Sequence, residues 1–137
     1  MSQITETIKN FLNKQIEFYT AEQQKTGNEF TNVFDFHHDT NKAKAIVDTY
    51  NGYLVALNKA EDENQFVFET KIGSENKTKQ LVEKRKTIVE ENLDEIIYYK
   101  SKGLLNGLIS AEKNIGILMD ELDIQLAKDN FKANVQE

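Results

Sequence analysis

One apolar stripe constrains this chain more than any other feature, because it keeps helical spacing over many turns. Its members recur every three, four or seven residues, as in coiled coils and helical bundles: Val82, Val89, Leu93, Ile97, Leu104, Leu108, Ala111, Ile115, Leu118 and Leu122. The chain also contains no proline, the residue that most effectively interrupts a helix. The pattern predicts a mainly α protein, an elongated antiparallel helical bundle with long C-terminal helices and with Leu93 and Ile97 in its core.

Residues 74–130 have two interpretations, one long helix or a helical hairpin. The unbroken phase of the stripe favours one rod, about 80 Å long at 1.5 Å per residue. Lys100-Ser101-Lys102-Gly103 instead resembles a helix C-terminus, with lysines in the last turn and glycine just beyond it. We favour the break at 100–103, because it divides the chain into four segments of similar length, which suits an antiparallel bundle.

Residues 1–40 are predicted to form an N-terminal helix followed by an aromatic loop. Apolar residues from Ile4 to Tyr19 follow the spacing of an amphipathic helix, and Gly27-Asn28 ends it. The next segment, TNVFDFHHDT at 31–40, contains both histidines of the chain. We interpret it as a loop whose aromatic side chains pack on the bundle, with Asp39 or Thr40 capping the next helix.

Residues 41–72 are ambiguous between a helix and a hairpin. Residues 41–62 place most of their apolar side chains on one helical face, yet Asn51-Gly52 is a strong hairpin signal. Residues 65–72, QFVFETKI, locally resemble a strand that Gly73-Ser74 would end. We favour a helix over 41–62, because a glycine within a helix costs only about 1 kcal/mol. The alternative is an α+β fold with an antiparallel meander at 29–72, flanked by helices.

The residues that carry chemistry form few patterns. His37 and His38 are adjacent, so neither a helix nor a strand aims both at one ion. Asp35, His37 and Asp39 would share a face if this segment were extended, and they are the only metal candidates. Cysteine is absent, as are phosphate-binding and dinucleotide-binding motifs. The sequence therefore predicts a protein that is not an enzyme and holds no cofactor.

The charge distribution limits the classes of partner. The net charge is −6, and residues 1–70 hold most of it, with 6 lysines against 11 acidic residues. An acidic chain is not expected to bind nucleic acid directly, whereas a basic protein is a partner that its charge would attract. Neither a membrane-spanning run nor a signal peptide is recognised, so we expect a cytoplasmic location without membrane binding. Arg85 is the single arginine, a lysine preference typical of low-GC bacteria and their phages.

Two charged blocks and a ridge of small residues predict an interface. The blocks have opposite charge: Lys84, Arg85 and Lys86 are basic, and Glu90, Glu91, Asp94 and Glu95 are acidic. Two antiparallel copies would place one block against the other. Gly103 and Gly107, followed by Ala111, would let a second helix approach closely.

These features together predict a non-catalytic interaction or assembly module. We expect a single helical domain over 1–137 that forms a homodimer, or a larger homo-oligomer, through residues 76–126. The alternative is a small acidic inhibitor, of the kind that phages and other mobile elements encode, which blocks a basic groove on a nucleic-acid enzyme.

Overall fold

The computed structural model describes residues 2–136, except for the side chains of Asn92 and Gln136. This part of the chain forms four α-helices: α1 (Gln3–Gln23), α2 (Val33–Lys59), α3 (Glu63–Lys86) and α4 (Glu95–Gln136). Short 3-10 turns, Gly27–Glu29 and Glu90–Asn92, lie in two of the connections. The described residues are 89% helical and include no strand. The predicted mainly α bundle is therefore confirmed, and the α+β alternative is wrong.

Polar side chains cap the start of every helix. The side-chain oxygens of Ser2, Asn32, Asp62 and Asp94 accept hydrogen bonds from backbone N–H groups two or three residues later, at 2.7–3.2 Å. Serine, asparagine and aspartate are preferred at this position because they satisfy N–H groups that lack a partner within the helix. These four residues determine where the helices begin.

The aromatic segment is a helix rather than the predicted loop. Asn32 caps α2, so residues 33–40 form its first two turns, and Asp39 and Thr40 lie inside the helix instead of capping it. The Thr40 hydroxyl donates to the Phe36 carbonyl, one turn earlier. The ring of Phe34 stacks on Tyr99 of α4 with centroids 4.9 Å apart, so the aromatic face of this helix has a neighbour to pack on.

Residues 41–62 are helical up to Lys59, so the helix is confirmed and the Asn51-Gly52 hairpin is wrong. Burial of Ile46, Tyr50 and Leu57 along one face outweighs the local preference of this dipeptide for a turn. The strand-like residues 65–72 also lie in a helix, α3, which continues through Gly73 and Ser74.

The C-terminal region breaks at residues 87–94 rather than at Lys100–Gly103. One continuous helix over 74–130 is therefore wrong. The helical hairpin is present as α3 and α4, but its predicted break at 100–103 is wrong. The basic last turn of α3 and the cap at Asp94 are the local signals that place the break. Gly103 lies inside α4 with a helical backbone, and no described glycine has a positive φ.

The helices alternate in direction, so α2 and α4 run parallel. These two make the most extensive contact, while α1 packs mainly on α2 and α3 on α4. Gly103 lies beside His38 and Gly107 beside Lys42, which gives the parallel register. Ser74 of α3 lies beside Gly116 and Arg85 beside Asn106, as in an antiparallel pair. The bundle therefore has a central α2–α4 pair with one helix on each side.

The core occupies only part of the bundle's length. Its buried residues come from all four helices: Ile4, Ile8, Leu12, Ile46, Tyr50, Leu57, Phe66, Val67, Ala111, Ile115, Met119 and Leu122. Within the ranges 13–42, 75–91 and 93–102, no residue is buried. The end formed by the starts of α2 and α4 and by the 87–94 connection is therefore loosely covered.

At the opposite end, α4 continues beyond its neighbours. It has 42 residues, whereas α1, α2 and α3 have 21, 27 and 24. Continuing the α2–α4 register places Lys59, the end of α2, level with about residue 124 of α4. Residues 127–135 are all exposed. We call residues 127–136 the α4 extension.

Candidate functional site

The helix separates the three metal candidates. Because successive residues are rotated by about 100°, Asp35 and Asp39 point to one side of α2 and His37 to the other. The shared face of Asp35, His37 and Asp39 requires an extended backbone, which this segment does not have. Within residues 2–136, no group of three histidine, aspartate or glutamate side chains is arranged to hold a metal ion.

His38 instead belongs to a chain of polar contacts that joins three helices. Its Nδ1 lies 2.8 Å from Asp39 Oδ1, and its Nε2 lies 3.0 Å from Asn106 Nδ2 on α4. The Asn106 oxygen accepts a hydrogen bond of 3.0 Å from Arg85 on α3. Arg85, predicted as an interface charge, is therefore already engaged within the chain.

The other predicted interface charges gather around the 87–94 connection. Lys84 and Lys86 lie in the last turn of α3, Glu90 and Glu91 in the following 3-10 turn, and Glu95 in the first turn of α4. The four acidic residues therefore do not form one helical face, contrary to their spacing in the sequence. Asp94 caps α4, and charges of these signs stabilise the adjoining helix ends by about 0.3–1 kcal/mol each.

Gly103 and Gly107 face α2 of the same chain. Both are buried, and a Cβ at either position would collide with a backbone carbonyl of α2, that of His38 or that of Lys42. Ala111 is also fully buried. The ridge that was predicted to receive a second copy is therefore occupied by α2.

Apolar side chains remain exposed around the 87–94 connection and the adjoining helix starts. Five of them are 37–54% exposed, and we call this set the apolar end: Val33, Val89, Leu93, Ile96 and Ile97. The prediction that Leu93 and Ile97 are buried is wrong, because the chain turns where the stripe was assumed to continue. Half-buried aromatic rings lie beside them, including the Phe34–Tyr99 stack.

Glu112 is a buried carboxylate that the sequence analysis missed. Its residue is 3% exposed, and its two oxygens lie 2.6 and 2.8 Å from the Tyr53 hydroxyl. Burial raises the pKa of Glu112, and the Tyr53 hydrogen bond and the Lys77 charge oppose that shift. The available signal was its position, since Glu112 is in helical phase with the buried residues Ile109 and Met119.

A groove separates α2 from α3, which do not pack closely on each other. Two clefts, of about 460 and about 690 Å³, share Tyr53, Ala56 and Lys77 and together follow the two helices. Glu112 lies at the floor of the larger cleft. We call the combined feature the α2–α3 groove. Gly52 and Gly73 line it, and a Cβ at either would meet no atom within 4 Å.

Comparisons with protein-family models, with curated protein sequences and with solved structures found no match. None of the helices within residues 2–136 combines the length and the apolar character that a membrane crossing requires. A functional proposal therefore depends on the surfaces that this chain itself presents.

Proposed function

We propose that this protein is a non-catalytic helical assembly module that binds a second copy of itself through the apolar end. The observation that supports the proposal is the group of five exposed apolar side chains around the 87–94 connection. Contiguous exposed apolar patches usually mark interaction surfaces. Removing such surface from water stabilises a complex by roughly 25 cal/mol per Å² before the costs of association are subtracted.

The charges beside the apolar end support a second copy as the partner. Lys84 and Lys86 precede the connection, and Glu90 and Glu91 lie within it. A two-fold axis near the connection would bring the lysines of each copy close to the glutamates of the other. Two-fold dimers are the commonest soluble oligomers, and complementary charges select this orientation.

Sedimentation velocity of the wild type at tens of micromolar tests the proposal. We expect Ile97→Asp to weaken self-association, because it places a charge in the proposed interface. Val55→Asp is the matched control, since Val55 lies in α2 away from the apolar end and both side chains are 53% exposed. Neither change should lower the free energy of unfolding appreciably, so a loss of association would not reflect unfolding.

Charge reversal tests the orientation of the two copies. The chain with Lys84→Glu and Lys86→Glu, and the chain with Glu90→Lys and Glu91→Lys, should each associate weakly alone and pair when mixed. Arg85 and Asp94 are left unchanged because Arg85 bonds to α4 and Asp94 caps it, whereas Lys86 pairs only with the exposed Glu83 of its own helix. A wild type that stays monomeric contradicts the proposal. If that monomer binds basic proteins in a salt-sensitive manner, the acidic-inhibitor alternative is favoured.

A further inference from the structure

The α4 extension and the turn before it form an amphipathic helix whose apolar face has no cover among the residues that the structure describes. Ile124, Phe131 and Val135 follow one another at seven and four residues, so they share a face, and each is at least half exposed. Lys128 and Lys132 adjoin this face. These two lysines outnumber Asp129, the one acidic residue of the α4 extension, so this helix end offers a second protein surface apolar contacts and a small excess of positive charge.

The part of the α2–α3 groove nearest the α2–α3 turn has the complementary chemistry. Ala56 and Phe66 contribute apolar surface to its lining. Three carboxylates, Glu61, Asp62 and Glu69, line the same part of the groove together with two lysines, Lys59 and Lys77. This part of the groove therefore combines apolar surface with a small excess of negative charge, opposite in sign to that of the α4 extension.

The two glycines of the groove have no role in packing within the chain. Gly52 and Gly73 each lie inside a helix with ordinary backbone angles and open space where a side chain would be. A glycine in such a position costs about 0.5–1 kcal/mol relative to alanine. Their lack of a side chain keeps the groove wide enough for another helix to approach the backbone.

The topology places the groove and the extension at the same end of the molecule. Because α2 and α4 run parallel, the α2–α3 turn lies at the end from which α4 projects. The extension is about 15 Å long, and the α3 wall of the groove from Asp62 to Gly73 is about 18 Å long, at 1.5 Å per residue. When two molecules meet at this end, the extension of each is therefore similar in length to the groove of the other.

We infer that two copies form an exchange dimer in which each lays its α4 extension in the partner's α2–α3 groove. Lys128 and Lys132 then lie near Glu61 and Glu69, and Phe131 contacts Ala56 and Phe66. This interface is at the opposite end from the apolar end and does not rest on the proposed function. A chain that uses both ends would form linear assemblies, because each end joins it to a different copy.

The test uses the full-length chain carrying Ile97→Asp, which disables the apolar end. Sedimentation should show a dimer of this chain. Adding Lys128→Glu with Lys132→Glu, or Glu61→Lys with Glu69→Lys, should raise the dimer dissociation constant about ten-fold or more. Mixing these two chains should restore the dimer, because each extension then meets a groove of opposite charge. Asp62 is kept because it caps α3.

Three further variants distinguish loss of the interface from loss of folding. Phe131→Asp should abolish the dimer, whereas Phe68→Asp, at another exposed phenylalanine, should retain it. Gly73→Gln should fill the groove and weaken the dimer without lowering the thermal midpoint. A monomeric Ile97→Asp chain, or a dimer indifferent to Phe131→Asp, overturns the inference. The proposed function is tested separately by the Lys128→Glu, Lys132→Glu chain with Ile97 intact, which should still dimerise through the apolar end.

Discussion

One hydroxyl group, that of Tyr53, donates a hydrogen bond to the buried carboxylate of Glu112. Tyr53 lies within hydrogen-bond distance of both oxygens but can donate to only one at a time. Burial and the contact with Glu112 raise the pKa of Tyr53, so this hydroxyl stays protonated as a donor. This hydrogen bond therefore does not fully offset the cost of burying the ionised carboxylate. As a result, the folded chain holds a proton on Glu112 more tightly than the unfolded chain does.

We expect Glu112 to make stability decrease as pH rises. Because its pKa is raised on folding, the native state binds more protons between the ordinary glutamate pKa and the raised one. The free energy of unfolding therefore falls across this interval and stays lower above it. Glu112→Gln cannot ionise, so its stability relative to the wild type should increase with pH. Urea unfolding at several pH values from about 4 to about 8 measures the difference.

The control is Glu121→Gln, which removes an exposed carboxylate from the same helix. It should leave the pH dependence of the wild type nearly unchanged. A constant difference in stability between Glu112→Gln and the wild type over the pH series would contradict the assignment. The phase of the helix in the sequence could have predicted burial of Glu112. Its Tyr53 partner could not be predicted, because the two residues are brought together by tertiary packing.

Four of the five mid-helix glycines, Gly52, Gly73, Gly103 and Gly107, look alike in sequence but have opposite roles at the scale of the helices. The first two face open space, whereas the last two allow α4 to lie directly against the α2 backbone. All four lie in helices and lack the left-handed backbone that a terminating glycine often adopts. Their difference is therefore steric and arises from the neighbouring helix.

We expect alanine to have opposite effects at the two kinds of glycine. Gly103→Ala and Gly107→Ala should lower the free energy of unfolding by about 1–3 kcal/mol, because the added Cβ overlaps a carbonyl of α2. Gly52→Ala and Gly73→Ala should raise it by about 0.5–1 kcal/mol, because alanine favours the helix and meets no neighbour. Chemical denaturation of the four variants provides the comparison. A loss of stability at all four would show that the α2–α3 groove is closed in solution.

Helical periodicity predicted most of the helical residues, but it missed residues 33–40 and 65–72 and did not predict the helix ends. The apolar face around Ile46 and Tyr50 was predicted correctly despite Asn51-Gly52, because burial of a whole face outweighs one dipeptide. The break near Gly103 was predicted wrongly, because a terminating glycine and a packing glycine have the same local sequence. Leu93 and Ile97 keep the phase of the stripe although the chain turns between them and Val82. The basic last turn of α3 and the cap at Asp94 are the local signals that identify the turn.

Across the whole molecule, burial is concentrated away from the apolar end. Buried residues begin at Ala43 in α2 and at Gly103 in α4, and the earlier turns of both helices have none. Regions with few buried contacts open locally at lower free energy than the core does. The exposure of the apolar end could not be predicted from the stripe. Its apolar residues resemble those of the core in sequence and differ only in having no neighbour to pack on.

We expect native-state hydrogen exchange to separate the two parts of the bundle. Amides from about residue 36 to 42 and from about residue 98 to 102 should exchange faster than those of residues 46–57 and 109–119, because fewer buried contacts protect them. Raising the protein concentration should slow exchange at the apolar end if the copies associate there. Equal protection along α4 would contradict this division of the molecule.

The parallel pairing of α2 with α4 also has a consequence for the order of folding. α1 with α2 and α3 with α4 can each form a hairpin through a short connection, so their contacts join nearby parts of the chain. The α2–α4 contact joins segments about 65 residues apart, and closing a longer loop costs more entropy. We therefore expect the two hairpins to form early and the glycine face of α4 to dock on α2 late. Contacts made after the transition state govern the unfolding rate, so the closest helix contact in the bundle would determine how long the native state persists.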